Sequence, residues 1–385
     1  MIRLGMIGCG GRGRGLIGLI DQFGEGATVV AIADPRKDAL PAELDGKPWL
    51  AEDVRYFDDA DAMLDASTLD GVVVATRCSM HATMGAKVLA RNLPLYLEKP
   101  VATNLDDWRM LRDAGARSES PVLVSFPLRV SPLVRLAKRI IESGQIGSVE
   151  HALAWCYPNY GGVYYHDWYR DESETGGLFL QKATHDLDYL TFLLGLEPRR
   201  IAAMTSKRVF TGEKPAGLKC DDCDDQETCP ESGFNLFYLR NERDRVKPID
   251  RSCGFAVDTG NEDSSSALIE YETGMHAVYT QCFYARKGAG SRGARLTGYK
   301  GTIAFDWSKR ELVVWMHHEP RVERHEDVST GGHGGGDTVL ARNFLQLIKG
   351  EAESVSPLEA GLQSVLMCLK ARESAAEGRF VAVDP

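Results

Sequence analysis

The 385-residue chain lacks long apolar runs, and nowhere do about eighteen apolar residues follow one another, so the sequence predicts neither a signal peptide nor a membrane-spanning helix. It also lacks a basic stripe or polybasic tail, and its formal net charge is −10. Nucleic acids and anionic membranes attract cationic surfaces, so both are poor candidate partners. Internal repeats and low-complexity tracts are absent. We therefore expect a cytoplasmic protein that acts on a small neutral or polar molecule.

Length and composition bound the architecture. With 385 residues, 43% of them hydrophobic, the chain can bury large cores and is long enough for two domains or three. Nine cysteines are present. In a reducing compartment most of them should be thiols, and an odd number cannot all pair within one chain.

A glycine-rich loop follows the first apolar run. Ile2 to Ile7 predicts a buried strand, and Leu16 to Asp21 predicts a helix. The loop between them contains Gly8, Gly10, Gly11, Arg12 and Gly13. Glycines in this order permit a tight turn, close approach of the backbone to a pyrophosphate, and close packing of helix on strand. The pattern predicts a dinucleotide-binding loop, and a glycine-rich turn without a ligand is the plain alternative.

The second apolar run, Thr28 to Ala33, ends in Asp34, twenty-one residues after Gly13. A carboxylate at this place accepts a hydrogen bond from the 2′-hydroxyl of a ribose and repels a 2′-phosphate, which favours NAD over NADP. Arg36 leaves NADP open, because a guanidinium two residues later can pair with that phosphate or stack on adenine.

Strand and helix patterns alternate as far as residue 125. The predicted elements after the second strand are strands at Val54 to Phe57, Gly71 to Ala75, Leu93 to Leu97 and Pro121 to Ser125, and helices near Asp58 to Asp65, Met80 to Arg91 and Leu105 to Gly115. This alternation predicts a doubly wound parallel sheet. Ligands of such sheets bind beyond the carboxyl ends of the strands. The residues that fall there are Thr76, His81, Glu98, Lys99 and Pro100.

Several motifs together resemble the Gfo/Idh/MocA oxidoreductase family, which includes inositol and glucose-fructose dehydrogenases. They are Gly8 to Gly13, Asp34, Ala75-Thr76 with His81, Glu98-Lys99-Pro100, Arg129, Gly176-Gly177 and His185-x-x-Asp188. The likeness covers nearly the whole chain. It implies an α/β protein with an NAD-binding Rossmann domain at residues 1–125 and a substrate-binding α/β domain at 126–385. The second domain would contain a large, mostly antiparallel sheet whose open face covers the nicotinamide and often supports dimer or tetramer contacts.

The sequence after residue 125 agrees with that expectation. Predicted strands are Val149 to Tyr157, Arg200 to Ser206, Ser264 to Glu272, Met275 to Tyr284, Arg295 to Tyr299, Thr302 to Asp306 and Glu311 to Met316. Thr273-Gly274 and Lys300-Gly301 supply turns between neighbouring strands. Thr338 to Leu347 and Leu358 to Glu373 predict helices that could pack back on the first domain.

Lys99 is the first predicted catalytic residue. Oxidation of a carbinol needs a hydride acceptor on one side of the carbon and a base for the hydroxyl proton. A lysine at a strand end beside bound NAD⁺ meets desolvation and positive charge, and each lowers its pKa. Glu98 should point to the other side of the extended backbone. In the resembling family the bond before Pro100 is commonly cis. A surface ion pair is the plain alternative for Lys99.

His185 is the second predicted catalytic residue. Gly176 to Gly195 predicts a turn followed by a helix, on which His185 and Asp188 share a face with Gln181 and Lys182. A neutral imidazole there can hydrogen-bond the reacting hydroxyl, with Asp188 orienting it or stabilising the helix; a buried core histidine is the alternative. The inositol dehydrogenases have an aspartate where Gln181 stands. Glutamine cannot act as a base, so the acid–base work should fall on the lysine of the strand end and the histidine, with Lys182 assisting, and inositol becomes doubtful as a substrate.

Four further positions are candidates for contacts near the cleft. Arg129 matches a family arginine and could anchor substrate hydroxyls or nicotinamide, or form a surface ion pair. Trp168 and Arg170 lie in an aromatic stretch that could bind a sugar face or simply pack in the core. His333 lies in a glycine-rich segment that could form a mobile substrate loop, and Asp337 after it could merely cap a helix.

Four cysteines lie in an insertion expected at about residues 209–254. Cys220, Cys223, Cys229 and Cys253 could hold tetrahedral zinc and thereby staple a long loop. The acidic residues among them favour a cation. Free thiols, disulfides or an iron–sulfur cluster are the alternatives.

These predictions converge on an NAD-dependent dehydrogenase that acts on a sugar, polyol or related cyclic hydroxyl compound. A redox-neutral glycosidase is one alternative, since oxidation, elimination and reduction on bound NAD could use the same Lys99 and His185. A non-catalytic dinucleotide-binding sensor is another. An interaction protein is not favoured, because nothing resembles a docking tail.

Overall fold

The computed structural model describes residues 1–232, 235, 251–329 and 332–385. Within these ranges no helix combines the length and apolar character needed to cross a bilayer. The strands are β1 (Ile2–Ile7), β2 (Ala27–Ala33), β3 (Leu50–Phe57), β4 (Gly71–Val74), β5 (Leu95–Leu97), β6 (Val122–Val124), β7 (Val149–Tyr157), β8 (Pro198–Ser206), β9 (Ser264–Tyr271), β10 (His276–Cys282), β11 (Ser291–Gly298), β12 (Gly301–Asp306), β13 (Glu311–Met316), β14 (Val322–Glu326) and β15 (Val381–Ala382). The α-helices are α1 (Gly11–Asp21), α2 (Leu40–Glu43), α3 (Ala60–Ala66), α4 (His81–Leu89), α5 (Leu105–Arg117), α6 (Pro132–Glu142), α7 (Val163–His166), α8 (Glu172–Thr175), α9 (Leu178–Leu194), α10 (Gly336–Lys349) and α11 (Leu358–Glu377).

The first sheet has six parallel strands in the order β3-β2-β1-β4-β5-β6. This order confirms the predicted doubly wound sheet. From β1 the chain adds β2 and β3 on one side of the sheet and then β4, β5 and β6 on the other side. The loops that follow β1 and β4 therefore separate, and they leave a crevice at the carboxyl ends of these two strands. Strand β3 begins at Leu50, earlier than the predicted Val54, because it is an edge strand whose Glu52 and Asp53 face solvent.

The second sheet has nine strands in the order β14-β13-β12-β11-β7-β10-β9-β8-β15. All neighbours are antiparallel except β7 and β10, which pair in parallel. The large, mostly antiparallel sheet is therefore confirmed. Thr273-Gly274 lies in the predicted turn, whereas of the second predicted turn Lys300 lies between the strands and Gly301 begins β12. Sequence patterns missed β14, a polar edge strand whose residues alternate between exposed and half-buried. They also missed α6, despite a proline at its first position.

Helix α9 lies between the two sheets and is buried along almost its whole length. It begins after Gly176 and Gly177, whose φ angles of 72° and 85° suit glycine alone. The carboxylate of Glu262 accepts from the backbone N–H groups of Leu178 and Phe179, at 3.2 and 2.5 Å, and so satisfies the start of the helix. The predicted turn and helix at this position are correct, and their burial fixes the orientation of the side chains that face the cleft.

The C-terminal helices pack against the first sheet. Phe344 of α10 meets Tyr96 of β5 edge to face, with ring centres 5.6 Å apart. The indole N–H of Trp108 on α5 donates to the carbonyl of Leu362 on α11 at 2.8 Å. The first residues of α10 are thereby carried to the edge of the sheet where the glycine loop lies.

Candidate active site

The glycine loop forms an open cradle at the start of α1. Gly8 has a φ of 85°, and a Cβ there would lie 2.7 Å from the carbonyl oxygen of Ala75. A Cβ on Gly10 or Gly11 would meet nothing within 4 Å, and no side chain caps the helix. The free N–H groups of a helix start face that open space, and they suit a pyrophosphate. The cradle therefore fits a dinucleotide.

Asp34 at the end of β2 is buried beside this cradle. Its two oxygens accept from the backbone N–H groups of Cys9, at 2.8 Å, and Arg36, at 2.9 Å. The Arg36 guanidinium folds back over the loop, 3.2 Å from Asp34 and 3.3 Å from Glu43. Two carboxylates already neutralise the one cation that was expected to leave room for a 2′-phosphate.

Arg12 and Glu98, both predicted to contact the cofactor, have side chains bonded to each other at 2.6 Å. Arg12 also donates to Ser125 at 2.9 Å and to Asp337 at 2.7 Å. The pKa of Arg12 is raised, because these carboxylates outweigh the opposing effect of burial. The side chains therefore act as a link between the glycine loop, the end of β5 and the start of α10.

Lys99 points away from Glu98, as expected for neighbours on an extended backbone. Its Nζ donates to the backbone carbonyl of Gln181 on α9 at 2.9 Å, and the peptide bond to Pro100 is cis. Burial lowers the pKa of Lys99 to about 8; the thiol of Cys78 opposes this shift, and the cation of Lys182 adds to it. A pKa in this range makes Lys99 a candidate for proton exchange above about pH 8.

The polar side-chain groups of His81 and Thr76, both predicted to contact the cofactor, bond to backbone carbonyl groups of the protein. The imidazole of His81 is buried, with Nδ1 2.8 Å from the carbonyl oxygen of Pro100 and Nε2 3.3 Å from that of Thr76. Burial lowers the pKa of His81, so the ring is neutral and the shorter contact marks Nδ1 as the donor. His81 therefore ties together two strand-end segments, while the Thr76 hydroxyl donates to the carbonyl of Arg77 at 3.1 Å.

Gln181 and His185 lie one turn apart on α9, and both are 96% buried. Gln181 Oε1 and His185 Nδ1 have no hydrogen-bond partner in the described part of the chain. Burial, together with the cations of Lys99 and Arg292, lowers the pKa of His185 well below its ordinary value. A neutral imidazole and an amide oxygen, both without partners, are suited to a ligand rich in hydroxyl groups.

Lys182 is buried between two tyrosines. Its Nζ donates to the phenol oxygens of Tyr160 at 2.7 Å and Tyr164 at 3.2 Å, and lies over both rings. Burial opposes the charge, but the two phenols raise the pKa of Lys182. Lys182 therefore stays protonated and is not suited to proton exchange. It contacts Tyr160, which lines the cavity described below.

Three predicted contacts are corrected by the structure. Asp188 does not orient His185, because both its oxygens accept from Arg129, at 2.6 and 3.1 Å. Arg129 is therefore held in a buried ion pair, neither on the surface nor free for substrate. Arg170 is buried, donates to Asp258 at 2.7 Å and to Thr259 at 2.8 Å, and does not line the cavity described below.

The glycine-rich segment before α10 also differs from the prediction. Asp337 does not cap the helix, because no side chain bonds the helix start. Instead, Asp337 accepts from the His333 imidazole, with Nδ1 and Oδ2 2.8 Å apart. His333 in turn lies 5.9 Å from His185 between ring centres. Trp168 remains near the domain boundary, stacked under the Arg77 guanidinium at 4.0 Å.

A cavity of about 620 Å³ opens beside this cluster, a size typical of small-molecule sites. Its wall includes Tyr160, Arg292, Trp307, Arg310 and His333. Lys99 and His185 do not line it directly; His333 and the tyrosine connect it to α9. The indole N–H of Trp307 is buried and has no partner within the described ranges.

Arg292 was missed by the sequence analysis. Its guanidinium forms two 2.8 Å bonds to Asp186, the neighbour of His185 on α9. The two residues are 106 positions apart, in different elements, and no local pattern announces such a pair. Tyr160 and Trp307 were likewise missed, because isolated aromatics carry no signal that separates a pocket wall from a core.

The four cysteines of the insertion line one small cavity with His166, of about 20 Å³. Cys223, Cys229 and Cys253 are free thiols. Among residues 1–232, 235, 251–329 and 332–385, no group of three or more His, Cys, Asp or Glu side chains is arranged to hold a metal ion. The zinc prediction is therefore not supported, and the part of the insertion at 233–234 and 236–250 lies outside the described residues.

The class of protein follows from the cradle and from a family comparison. Residues 2–126 match the model described as "Oxidoreductase family, NAD-binding Rossmann fold". The chain is thus an NAD-binding oxidoreductase. Residues 134–304 match the model described as "GFO/IDH/MocA C-terminal domain". Both halves agree, so the chain belongs to the Gfo/Idh/MocA family.

Relatives extend over most of the chain. The protein YteT of Bacillus subtilis (strain 168) is 29% identical over 351 residues, covering 81% of this chain and 80% of that protein. An inositol 2-dehydrogenase of Rhizobium meliloti (strain 1021) is 26% identical over 305 residues, covering 79% and 75%. Among solved structures, levoglucosan dehydrogenase in complex with NADH and levoglucosan superposes with a TM-score of 0.75 at 17% identity, covering 100% of both chains. At that identity the likeness shows the fold alone.

Proposed function

We propose that this enzyme transfers hydride between NAD and a secondary hydroxyl group of a sugar, polyol or related cyclic compound, with Lys99 and His185 at the reacting hydroxyl. The observation that carries the proposal is the placement of Lys99 against α9, beside the unpartnered Gln181 Oε1 and His185 Nδ1. Lys99 can exchange a proton, and the two buried atoms Gln181 Oε1 and His185 Nδ1 can each form a hydrogen bond with a ligand. The inositol and levoglucosan dehydrogenases named above act on hydroxylated rings, which agrees with this substrate class.

The residues divide the chemistry between them. When bound, NAD⁺ accepts the carbinol hydride together with its electron pair. Neutral Lys99 takes the hydroxyl proton as the C=O bond forms, and the ammonium returns it when a ketone is reduced. His185 stays neutral and hydrogen-bonds the same oxygen. Tyr160 and Trp307 offer aromatic faces and polar edges to the rest of a sugar ring.

NAD rather than NADP is the proposed cofactor. Asp34 lies beside the cradle, and its Oδ2, which accepts from the backbone N–H of Cys9, keeps a second lone pair that can accept from a ribose hydroxyl. Arg36 is paired with two carboxylates, so a 2′-phosphate would have to displace one of them. Comparison of kcat/KM with NAD⁺ and NADP⁺ tests this choice.

A substrate panel tests the function itself. Sugars, polyols and aryl glycosides would be incubated with the enzyme and NAD⁺, with NADH absorbance and aglycone release followed in parallel. NADH without release is the expected result. Aglycone release without net NADH would instead establish the redox-neutral glycosidase, and NADH binding without either product would establish a sensor.

We also propose that the enzyme is a homo-oligomer. The outer face of the nine-stranded sheet exposes large apolar side chains, including Met204 and Leu268, which are 78% and 40% exposed. Leu268 pairs with Val278 on the neighbouring strand, so apolar side chains of two adjacent strands meet on this face. Light scattering after size-exclusion chromatography measures the mass, and a monomer would refute this proposal.

A further inference from the structure

Gln181 stands where the inositol dehydrogenases that the sequence resembles have an aspartate, and a histidine–carboxylate pair from another segment lies close to His185. His333 Nδ1 lies 2.8 Å from Asp337 Oδ2. The His333 ring is 5.9 Å from that of His185, and His333 also lines the cavity of about 620 Å³. The chain therefore supplies an imidazole with its own carboxylate from another segment.

Asp337 is held in place as an anion. It is 95% buried, and its second oxygen accepts from Arg12 at 2.7 Å. Burial opposes ionisation, but His333 and Arg12 together hold the pKa of Asp337 well below its usual range. An ionised carboxylate accepts hydrogen bonds only, so Nδ1 of His333 must carry a proton. In the neutral form of the ring the lone pair is on Nε2, for which the described part of the chain supplies no hydrogen-bond partner.

The segment that carries His333 is anchored. A Cβ on Gly336 would lie 1.9 Å from the carbonyl oxygen of Pro127, and one on Gly334 would lie 3.6 Å from Trp307. The backbone is thus packed against both the first half of the chain and the cavity wall. His333 itself has a φ of 49°, which is the left-handed conformation of a tight turn, and its side chain lines the cavity.

The charged and titratable groups around His333 come from several elements. Asp337 lies on α10, His185 on α9, and Asp327 and Arg310 line the same cavity at the ends of β14 and β13. Asp337 is the partner in direct hydrogen-bond contact. The cations of Lys99 and Arg292 lie near His185 and, together with burial, lower the pKa of His185.

We propose that His333, oriented by Asp337, is a second proton acceptor for the substrate hydroxyl and takes the place of the carboxylate that Gln181 lacks. The inference rests on the proposed function. The hydroxyl O–H bond breaks, its proton moves to His333 Nε2, the C=O bond forms, and the hydride leaves with its electron pair to NAD⁺. In this scheme His333 is catalytic, whereas Asp337 and Arg12 are positioning residues.

The two acceptors would serve different pH ranges. Lys99, with a pKa of about 8, is mostly protonated at pH 7 and cannot then take a proton. His333, held by Asp337, supplies an acceptor that does not depend on the ionisation of Lys99. Above pH 8 the lysine becomes available and the enzyme depends less on His333.

Turnover at two pH values tests the division. The probe is the panel compound from which the wild-type enzyme produces NADH fastest, measured at saturating NAD⁺ with wild-type, His333→Gln, Asp337→Asn and the surface control His318→Gln. We expect His333→Gln to lower kcat about 100-fold at pH 7 and about threefold or less at pH 9, Asp337→Asn to follow the same pattern more weakly, and the control to match wild-type. Equal losses at both pH values, or no loss, would overturn the proposal.

A second-site variant separates a chemical role from a structural one. Gln181→Asp restores the missing carboxylate, so adding it to His333→Gln should recover activity at pH 7 by about tenfold. A residue that only supports the fold would not be rescued in this way. Absence of rescue would contradict the claim that His333 replaces that carboxylate.

A measurement without substrate keeps the inference distinct from the proposed function. In protein labelled with ¹⁵N-histidine, the His333 signals are identified by their loss in His333→Gln. We expect the Nδ1–H tautomer in the wild-type enzyme and its loss in Asp337→Asn. The Nε2–H tautomer would refute the oriented pair even in an active enzyme. If no panel compound yields NADH while the tautomer is as expected, the proposed function fails, and the proton-acceptor role fails with it.

Discussion

The two walls of the cleft differ in how well the roles of their residues can be predicted from the sequence. The first wall comprises the glycine loop and the strand ends up to Pro100; the second comprises α9 and the start of α10. In the first wall, backbone geometry selects the residue type, as at Gly8 with its φ of 85°. In the second, side-chain partners decide the roles, and those partners come from distant segments. A local motif therefore locates the cofactor, whereas only packing reveals which polar side chains remain free for a substrate.

Lys99→Ala has the largest expected effect on turnover. Lys99 belongs to the first wall and bonds to the carbonyl of Gln181 in the second. Loss of the proposed general base should lower kcat by about 10² to 10⁴-fold at pH 9, where His333 contributes least. NADH binding, followed by fluorescence, should change little, since the glycine loop is untouched. If turnover on a verified substrate survived, the catalytic role of Lys99 would be wrong.

Arg129→Ala tests whether Arg129, in the second wall, stabilises the fold through Asp188 or instead contacts the substrate. It leaves the buried carboxylate of Asp188 without its partner, and the expected loss of stability is about 3–5 kcal/mol, measured by denaturant unfolding. The double variant Arg129→Leu with Asp188→Leu should recover most of it, because a buried pair can be replaced by apolar groups. An unchanged stability with a higher KM would show instead that Arg129 faces the ligand.

The limits of sequence analysis follow from the same contrast. The six-stranded sheet, the cradle and Lys99 could be predicted, because turns and strand ends restrict residue types locally. Arg129, Arg170 and Arg12 were assigned to ligands, yet each has a carboxylate partner 59, 88 or 325 positions away. No periodicity encodes such distances. A cation near a cleft could therefore not be told from a cation in a structural pair.

The pH dependence of oxidation should report Lys99. Its pKa is lowered to about 8 by burial, so the neutral base accumulates above that value. In His333→Gln, which lacks the second proposed acceptor, kcat/KM should rise by up to about tenfold per pH unit below that midpoint, and in the wild-type enzyme it should rise less steeply. Lys99→Ala should lack this step across pH 6 to 10. A step of equal size in the variant would assign the titration to another group.

Gly10→Ala tests the first wall, with Gly15→Ala on the same helix as a matched control. A Cβ at either position meets nothing within 4 Å, so neither variant should lose stability. Only the methyl group at Gly10 occupies the approach to the pyrophosphate, and it should raise the Kd for NADH about tenfold, equivalent to about 1.4 kcal/mol. Equal Kd values for both variants would mean that the cofactor does not approach this loop.

Glu43→Gln should produce the smallest effect, at the outer end of the first wall. Glu43 is one of two carboxylates that neutralise Arg36, so its removal leaves the guanidinium more available to a 2′-phosphate. We expect the ratio of kcat/KM with NADP⁺ to that with NAD⁺ to rise about two- to fivefold, as befits an exposed ion pair, and to rise less at high salt. Asp38→Asn removes a nearby exposed carboxylate that does not contact Arg36 and should leave the ratio unchanged. If both variants shifted it equally, general surface charge and not the Arg36 pair would set the cofactor preference.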